Sequence, residues 1–366
     1  MQGENHPFYA IISKYMILER TERVKRLSNF EIDILQLRTT PYEIGFHLGK
    51  HLKDKNLINV FNKLTKPEIN MNHFHNVFSS LSPNLLEELQ GLSEGLQLPY
   101  EKVAAMFSGY DVPKLTNMGC SAFVDHRYYV RNYDFSPDIY DGLLLLLDSK
   151  DVLASCGYSL QIIGRHDGVN ESGLAIGLHF VNNQEYQEGI AAWTSVRMVL
   201  DTCKSTEEAI VLLKDIPHAA CYNFSLGDSY GNYAAVEVSP EKVLVRKDPN
   251  FISCVNHFQN TDMKKKNRVH IEGSLKRNKY IHNLKDQNLS MEETFHKFSD
   301  KNSPLFFTDY DNLFGTLHTF AYSFEEKTLT TNVAQGNNDL TINFEEWVKG
   351  NNIKESKLKG HIQAFV

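Results

Sequence analysis

The chain has 366 residues, 42% hydrophobic and 23% charged, the proportions of a soluble globular protein long enough to bury a large core in one or two domains. Its 45 acidic and 38 basic side chains leave a formal net charge of −7, so there is no basic excess with which to hold a polyanion, and nucleic acid is not an expected partner. The longest aliphatic run, Leu143 to Leu147, falls far short of the roughly 20 residues of a membrane span, so no membrane partner is expected either.

The N-terminus, MQGENHPFYAIISKYMILERTERVKRL, lacks the basic start, apolar stretch and small-residue cleavage site of a secretory signal, and a cytoplasmic location is the expectation. Up to about residue 118 the pattern is mostly helical. Pro41 to Lys55 carries Ile44, Phe46, Leu48 and Leu52 on an imperfect helical face. Ser82-Pro83 opens a second helix, with Ser as N-cap and Pro at the first helical position, and Leu85, Leu86, Leu89 and Leu92 recur along it. Pro99 to Tyr110 reads as a third. Strands dominate afterwards. Ser121 to Val124 and Tyr128 to Tyr133 flank a polar turn, a hairpin signal. Further strands are expected over Leu143–Leu147, Ser159–Ile163, Leu174–Val181, Tyr222–Leu226, Tyr233–Val238, Val243–Arg246, Phe251–Asn256, Leu317–Ser323 and Thr328–Asn332. Ser205 with Glu208, and Ser290 with Glu293, read as capping boxes before helices, and residues 273 to 284 look helical. Hairpin-linked strands interrupted by helical blocks predict antiparallel sheet covered by helices, an α+β fold.

The five cysteines, Cys120, Cys156, Cys203, Cys221 and Cys254, are odd in number and widely spaced, with no C-x-x-C, so neither a disulfide framework nor a structural zinc site is expected. No nucleotide-binding or zinc-protease motif is present, and no cofactor or metal is implied. Cys120 stands out by its neighbours. It sits in NMGCSAF, and the hairpin returns through VRNYDF, placing Arg131 and Asp134 near it. An arginine beside a thiol favours the thiolate. The bland reading is a small buried cysteine next to a local Arg131–Asp134 ion pair.

The motif order resembles a family: N-terminal-nucleophile hydrolases of the acyl-coenzyme A:6-aminopenicillanic acid acyltransferase type, relatives of the choloylglycine hydrolases and penicillin V acylases. The resemblance runs through TPYEIGFHLGK (Thr40 to Lys50) and SPNLLEELQGLSEGLQLPYEKV (Ser82 to Val103). It continues through GCSAF with RNYDF, GVNESGLAIGLHF (Gly168 to Phe180) and LGDSYGNYAAVEVSP (Leu226 to Pro240), and ends with CVNHF (Cys254 to Phe258) and SLKR (Ser274 to Arg277). It implies a four-layer αββα sandwich. Residues 1–119 would be a mainly helical prosegment, retained as a small subunit, and residues 120–366 the catalytic domain.

The resemblance further implies self-cleavage at Gly119-Cys120, after which the new α-amine of Cys120 is the general base and its sulfur the nucleophile. The substrate would be a small-molecule acyl amide or acyl thioester, cleaved or transferred through a thioester acyl-enzyme. Asp134 would hold the amine, Arg131 tune the charge beside the sulfur, Asn256 donate to the oxyanion and Arg277 organise the site. His179, where choloylglycine hydrolases and penicillin V acylases have Asn or Tyr, could donate to the oxyanion or line the pocket. That departure speaks against bile-salt or penicillin V activity. Asn170 matches the family pattern and would shape the turn before its strand or border the site. Tyr140, Tyr186 and Trp193 could make an apolar acyl pocket.

Strict alternation puts Arg131 and Asp134 on opposite faces of a strand, which predicts a bulge or strand end near Asn132 to Asp134. Three alternatives stay open at this level: a Cys-His hydrolase pairing Cys120 with His126 or His166, a non-cleaving binding protein of the same fold, and an enzyme preferring transfer over hydrolysis. His126 reads as a solvated turn, His166-Asp167 as a loop and Lys264 to Lys266 as a solvated run, with a part in meeting coenzyme A as the minority reading of that run. A homo-oligomer is compatible with the sequence.

Overall fold

The longest strand lies in the part of the chain expected to be helical. In a computed structural model, which describes residues 25–112, 119–182, 184–310 and 314–365, the chain opens with β1 (Lys25–Arg38). Phe30, Ile32 and Ile34 alternate along it toward the core. Five helices follow: α1 (Pro41–Leu52), α2 (Asn56–Leu64), α3 (Met71–Leu81), α4 (Pro83–Leu96) and α5 (Tyr100–Phe107). Thr40 caps α1 by accepting the N–H of Glu43, whereas Ser82 precedes α4 without a capping bond and donates to Asn84 instead. Helices α1 and α4 meet along glycines: a Cβ on Gly45 would lie 1.8 Å from the Glu88 carbonyl, and one on Gly91 1.8 Å from that of Tyr42. Only glycine permits this approach.

The rest of the chain supplies β2 (Gly119–Val124), β3 (Tyr128–Phe135), β4 (Leu143–Asp148), β5 (Ser155–Leu160), β6 (Gly164–Asn170), β7 (Ala175–Asn182), α6 (Ala192–Thr202) and α7 (Thr206–Asp215). These are followed by β8 (Cys221–Gly227), β9 (Tyr233–Val238), β10 (Val243–Arg246), β11 (Ile252–Cys254), α8 (Glu272–Lys285) and α9 (Met291–Ser299). The chain closes with β12 (Thr308–Asp309), β13 (Phe314–Ser323), β14 (Thr328–Val333), β15 (Leu340–Asn343), α10 (Phe344–Val348) and β16 (Lys357–Phe365). Ser290 and Glu293 complete the capping box of α9. At α7 only half of the expected box forms, because Glu208 reaches back to the N–H of Lys204 rather than to Ser205.

One sheet runs β10-β9-β8-β7-β6-β5-β4-β1-β16 and the other β11-β2-β3-β13-β14-β15, with β12 beside β13. Their inner faces meet, as shown by Tyr129 Oη to Ser225 Oγ at 2.8 Å and Tyr158 Oη to Thr331 Oγ1 at 2.7 Å. Helix α6 covers the outer face of the first sheet, where Gly164 and Gly168 make room for Trp193 and Leu200. Helices α8 and α9 cover the second, packing Ile281, Leu284, Phe295 and Phe298 on Phe123, Val130 and Ala321. The order helix, sheet, sheet, helix is the α+β architecture expected. Besides its five helices the N-terminal segment adds a strand to the first sheet, since β1 pairs with β16 on one side and, in parallel, with β4 on the other. No helix among the described residues is long and apolar enough to cross a membrane.

Two local expectations need correction. The strand expected over Ser159 to Ile163 ends at Leu160. Gln161 and Ile162 turn in the left-handed region, at φ 52° and 66°, because Asp141 accepts both of their N–H groups and the Ser159 hydroxyl. The irregularity expected near Asn132 to Asp134 is carried by the neighbouring strand. The β2–β3 register is unbroken from Gly119↔Asp134 to Val124↔Tyr129, and the shift falls between Thr316 and His318 of β13.

Candidate active site

The β2–β3 pairing sets Cys120 opposite Tyr133 and Ala122 opposite Arg131. Cys120 and Arg131 share the inner face, and Arg131 Nη2 donates to Cys120 Sγ at 3.2 Å and to the Leu178 carbonyl. Arg131 Nη1 pairs with Asp167 Oδ2. Asp134 stays on the opposite face, as strand alternation requires, with its carboxylate beside Gly119. A Cβ at 119 would lie 2.4 Å from Phe314 Cζ and 2.9 Å from Asp134 Oδ2, so a side chain before the cysteine would have to displace both. Thr316 Oγ1 donates to Asp134 Oδ1 at 2.7 Å, while Oδ2 has no hydrogen-bond partner among the described residues.

Asn256 follows β11 and reaches the Cys120 backbone. Its Oδ1 accepts the Cys120 N–H at 2.8 Å and Arg277 Nη2 at 2.8 Å, and its Nδ2 donates to the Phe180 carbonyl at 2.8 Å. Arg277 Nη1 donates to the Cys120 carbonyl at 2.5 Å and to Ser121 Oγ at 2.8 Å. The S-x-x-R spacing now has a cause. Positions i and i+3 share one face of α8, so Ser274 Oγ takes the Asn256 N–H at 3.0 Å while Arg277 spans Asn256 and Cys120. Arg277 is buried rather than part of a solvated helix face.

Burial decides the electrostatics. It pushes the Cys120 thiol up to about 11; Arg131 pulls it down and Asp134 up again. Arg131 favours the thiolate, as expected of a cation beside a thiol, but in the intact chain desolvation outweighs it and the thiol stays protonated near neutral pH. Burial also lifts Asp134 to about 6 against the pull of Arg277. His179 is buried, bonds Ser225 Oγ through Nε2 at 2.9 Å, and lies against the Cys120 backbone. Burial, then the charges of Arg131 and Arg277, hold its imidazole neutral.

Other candidates fall elsewhere. Asn170 lies outside the site: its amide donates to the carbonyls of Leu200 and Cys203, and its oxygen accepts from Ser172 and Leu174, tying a turn to α6. His126 is exposed on the turn at the far end of the hairpin. His166 and Asp167 are not in a loop but in β6 and fully buried, and neither His126 nor His166 bonds Cys120. The polar atoms of Tyr140, Tyr186 and Trp193 go separately to His318, Asp111 and Gln161. Lys264 and Lys265 are exposed, and Lys266 pairs with Glu185 and Glu241. All five cysteines are free and buried, and burial raises the thiols of Cys203, Cys221 and Cys254, to about 11, 12 and 12. Among the described residues no cluster of His, Cys, Asp and Glu could hold a metal ion.

Comparison with known proteins gives the family of the chain. The acyl-coenzyme A:6-aminopenicillanic acid acyl-transferase family matches residues 123–338, more than half of the chain. The chain belongs to that family, a group of N-terminal-nucleophile amide hydrolases and acyltransferases. The match begins just past Cys120. No curated protein matches. Among solved structures, a mutant of the conjugated bile acid hydrolase from Clostridium perfringens is 17% identical, with TM-score 0.45, over 64% of this chain and 95% of that one. Penicillin V acylase from Agrobacterium tumefaciens is 15% identical, with TM-score 0.39, over 63% and 88%. The Caenorhabditis elegans ortholog of N-acylethanolamine-hydrolyzing acid amidase is 10% identical, with TM-score 0.38, over 56% and 93%.

Proposed function

We propose that the protein is a self-cleaving N-terminal cysteine amidohydrolase or acyltransferase whose nucleophile is Cys120. The observation that carries this reading is the convergence of Arg131, Asn256 and Arg277 on one buried cysteine, preceded by a glycine closely flanked by Phe314 and Asp134. In the first step Cys120 Sγ attacks the Gly119 carbonyl carbon. The C–S bond forms, the C–N bond breaks, and the thiol proton passes to the departing nitrogen. Water then hydrolyses the thioester, leaving a Gly119 carboxylate and a free α-amine on Cys120. The unpartnered Asp134 Oδ2 beside Gly119 is an acceptor for that amine.

The amine has a reference pKa of about 7.7–8.0, suited to taking a proton from the sulfur and returning it to a leaving amine near neutral pH. The sulfur attacks a linear acyl amide or acyl thioester and an acyl-enzyme forms. Asn256 Nδ2, which spends one hydrogen on the Phe180 carbonyl, has a second for the oxyanion. Water or an acceptor amine resolves the thioester. Residues 1–119 stay with 120–366 after cleavage, because β1 is paired along both edges and Glu88 of α4 is bonded to Arg197 of α6. The raised thiol and full burial of Cys120 fit a precursor that is sealed until it is cut.

The test is to incubate the purified protein with linear N-acyl amides and acyl thioesters, quench, and weigh the peptide that starts at Cys120. A mass increase equal to the acyl group, discharged by added amine, supports the reading. Substrate turnover with no acyl adduct on that peptide in the quenched samples would contradict it.

A further inference from the structure

Beyond the groups that touch Cys120, a second tier of buried polar side chains lies behind Arg131, and the reading above assigns it no part. We infer that Asp167 and His318 are positioning residues that hold the Arg131 guanidinium against the Cys120 sulfur and balance its charge. This rests on Cys120 being the nucleophile.

The geometry is a continuous hydrogen-bonded chain. Tyr140 Oη meets His318 Nδ1 at 2.8 Å, His318 Nε2 meets Asp167 Oδ2 at 2.8 Å, the same oxygen pairs with Arg131 Nη1, and Arg131 Nη2 reaches Cys120 Sγ at 3.2 Å. His318, Asp167 and Arg131 are fully buried and come from three strands, β13, β6 and β3. The His318 ring is stacked on Tyr158 at 3.8 Å and on Tyr133 at 5.4 Å, so it has little freedom to turn. Burial lowers its pKa. A neutral ring that receives the Tyr140 hydroxyl at Nδ1 must carry its proton at Nε2 and donate it to Asp167. The register shift between Thr316 and His318 realigns β13 beside this ring.

The same carboxylate acts on the sulfur at a distance. The charged groups that bear on Cys120 are Arg131 and Arg277, which favour its thiolate, and Asp134 and Asp167, which oppose it. Facing Asp167 are the cation of Arg131 and the imidazoles of His318 and His166, both of which burial keeps from taking a proton. Burial works to raise the Asp167 carboxyl, yet His318 and Arg131 bring it down to about 2, so it is an anion at any working pH. It thus fixes Arg131 while screening part of its charge from the sulfur. A merely structural aspartate would do the first and leave the thiol titration unmoved.

The test is the pH dependence of Cys120 alkylation by iodoacetamide, read by peptide mass on the purified protein, which needs no knowledge of the substrate. Asp167→Asn keeps the shape and removes the charge. Its midpoint should fall by about one pH unit relative to wild type, while turnover drops about 10- to 100-fold because Arg131 is less well held. His318→Gln, which can still donate to Asp167 and accept from Tyr140, should retain alkylation and turnover within about 3-fold, and His318→Leu should lose at least about 10-fold. Unmoved midpoints in Asp167→Asn, or equal losses in His318→Gln and His318→Leu, would overturn the inference and leave the nucleophile assignment standing. Failure of wild-type Cys120 to react at any pH would overturn both.

Discussion

Two buried ion clusters tie this fold together, and they differ in how completely they are satisfied. In the first, Glu88 of α4 meets Arg197 of α6 at 2.7 Å, Arg197 meets Asp201 at 2.7 Å, and Asn84 donates to the other Asp201 oxygen at 2.8 Å. No polar side-chain atom of Glu88, Arg197 or Asp201 is left unpartnered. In the second, around Cys120, unpartnered atoms collect: Arg131 Nε, Asp134 Oδ2, Asp167 Oδ1 and Arg277 Nε. Buried polar groups normally find partners, and an unmet one carries a desolvation cost of about 1–3 kcal/mol. A cluster that only holds elements together has every reason to saturate itself. On the proposed function the second cluster receives a new amine, an oxyanion and a proton, for which it keeps capacity in reserve. Arg165, beside the first cluster, is an exception to the tidy division: its Nη2 is also unpartnered.

The comparison breaks most readily by exchanging charge for shape. Replacing Glu88, Arg197 and Asp201 together with Leu, Met and Leu should leave turnover within about 3-fold and stability neutral or higher by about 1–4 kcal/mol, as for other buried ion triads. Glu88→Ala alone should cost about 3–5 kcal/mol, since it strands Arg197. The equivalent apolar exchange of Arg131 and Asp167 should abolish turnover whatever it does to stability. Chemical denaturation and rates on the same samples decide this, and loss of activity in both exchanges would erase the distinction.

Asn256→Ala sharpens it. One lost oxyanion donor typically lowers the rate about 100- to 1,000-fold, and kcat should fall with little change in KM. A smaller effect follows from Asp134. Its carboxyl titrates at about 6 in the folded chain but near 3.9 when unfolded. Between those values the unfolded state has released a proton that the folded state keeps, so stability falls as pH rises through this window and levels off above it. In an uncut Cys120→Ala background, Asp134→Asn should gain stability over its parent as pH rises from about 4 to 6 and none below. Thermal melts across that range check the sign, and an equal difference at every pH would contradict it. The smallest effect belongs to His126→Ala. An exposed turn residue should change stability by no more than about 0.5 kcal/mol and leave turnover unchanged, whereas a large rate loss would restore a Cys-His mechanism.

The residues that surround Cys120 are legible because they sit in short local motifs: GCSAF and RNYDF on adjacent strands, CVNHF at a strand end, SLKR on one helix face. What escapes is long-range. Asp167 reads locally as part of a loop because His-Asp-Gly resembles a turn, yet β6 is buried on both faces and carries polar residues inward. His318 lies between Leu317 and Thr319 in a strand of mixed apolar and hydroxyl residues, 151 positions from the aspartate it meets, and nothing local marks it. Strand β1 does not announce itself although Phe30, Ile32 and Ile34 alternate, because its partners are β4 and β16, one of them at the other end of the chain. The raised thiol of Cys120 is hidden for a related reason, since motif spacing carries the charge of Arg131 but not the burial that outweighs it. Tyr140 and Trp193 are buried and Tyr186 is half-buried, and the polar atoms of the three go to separate partners, which no local pattern shows.

The central claim is that Cys120 becomes an N-terminus. Its most direct test is the intact mass of freshly purified protein under denaturing conditions, beside Cys120→Ala. Cleavage at Gly119-Cys120 gives chains of 119 and 247 residues from the 366, of about 14 and about 28 kDa from the total of 41.9 kDa. The account predicts both fragments in the wild type, the larger beginning at Cys120, and neither in the variant. A single full-length species in both samples, unchanged on incubation across pH, would contradict it, for the proposed catalytic base would then never form.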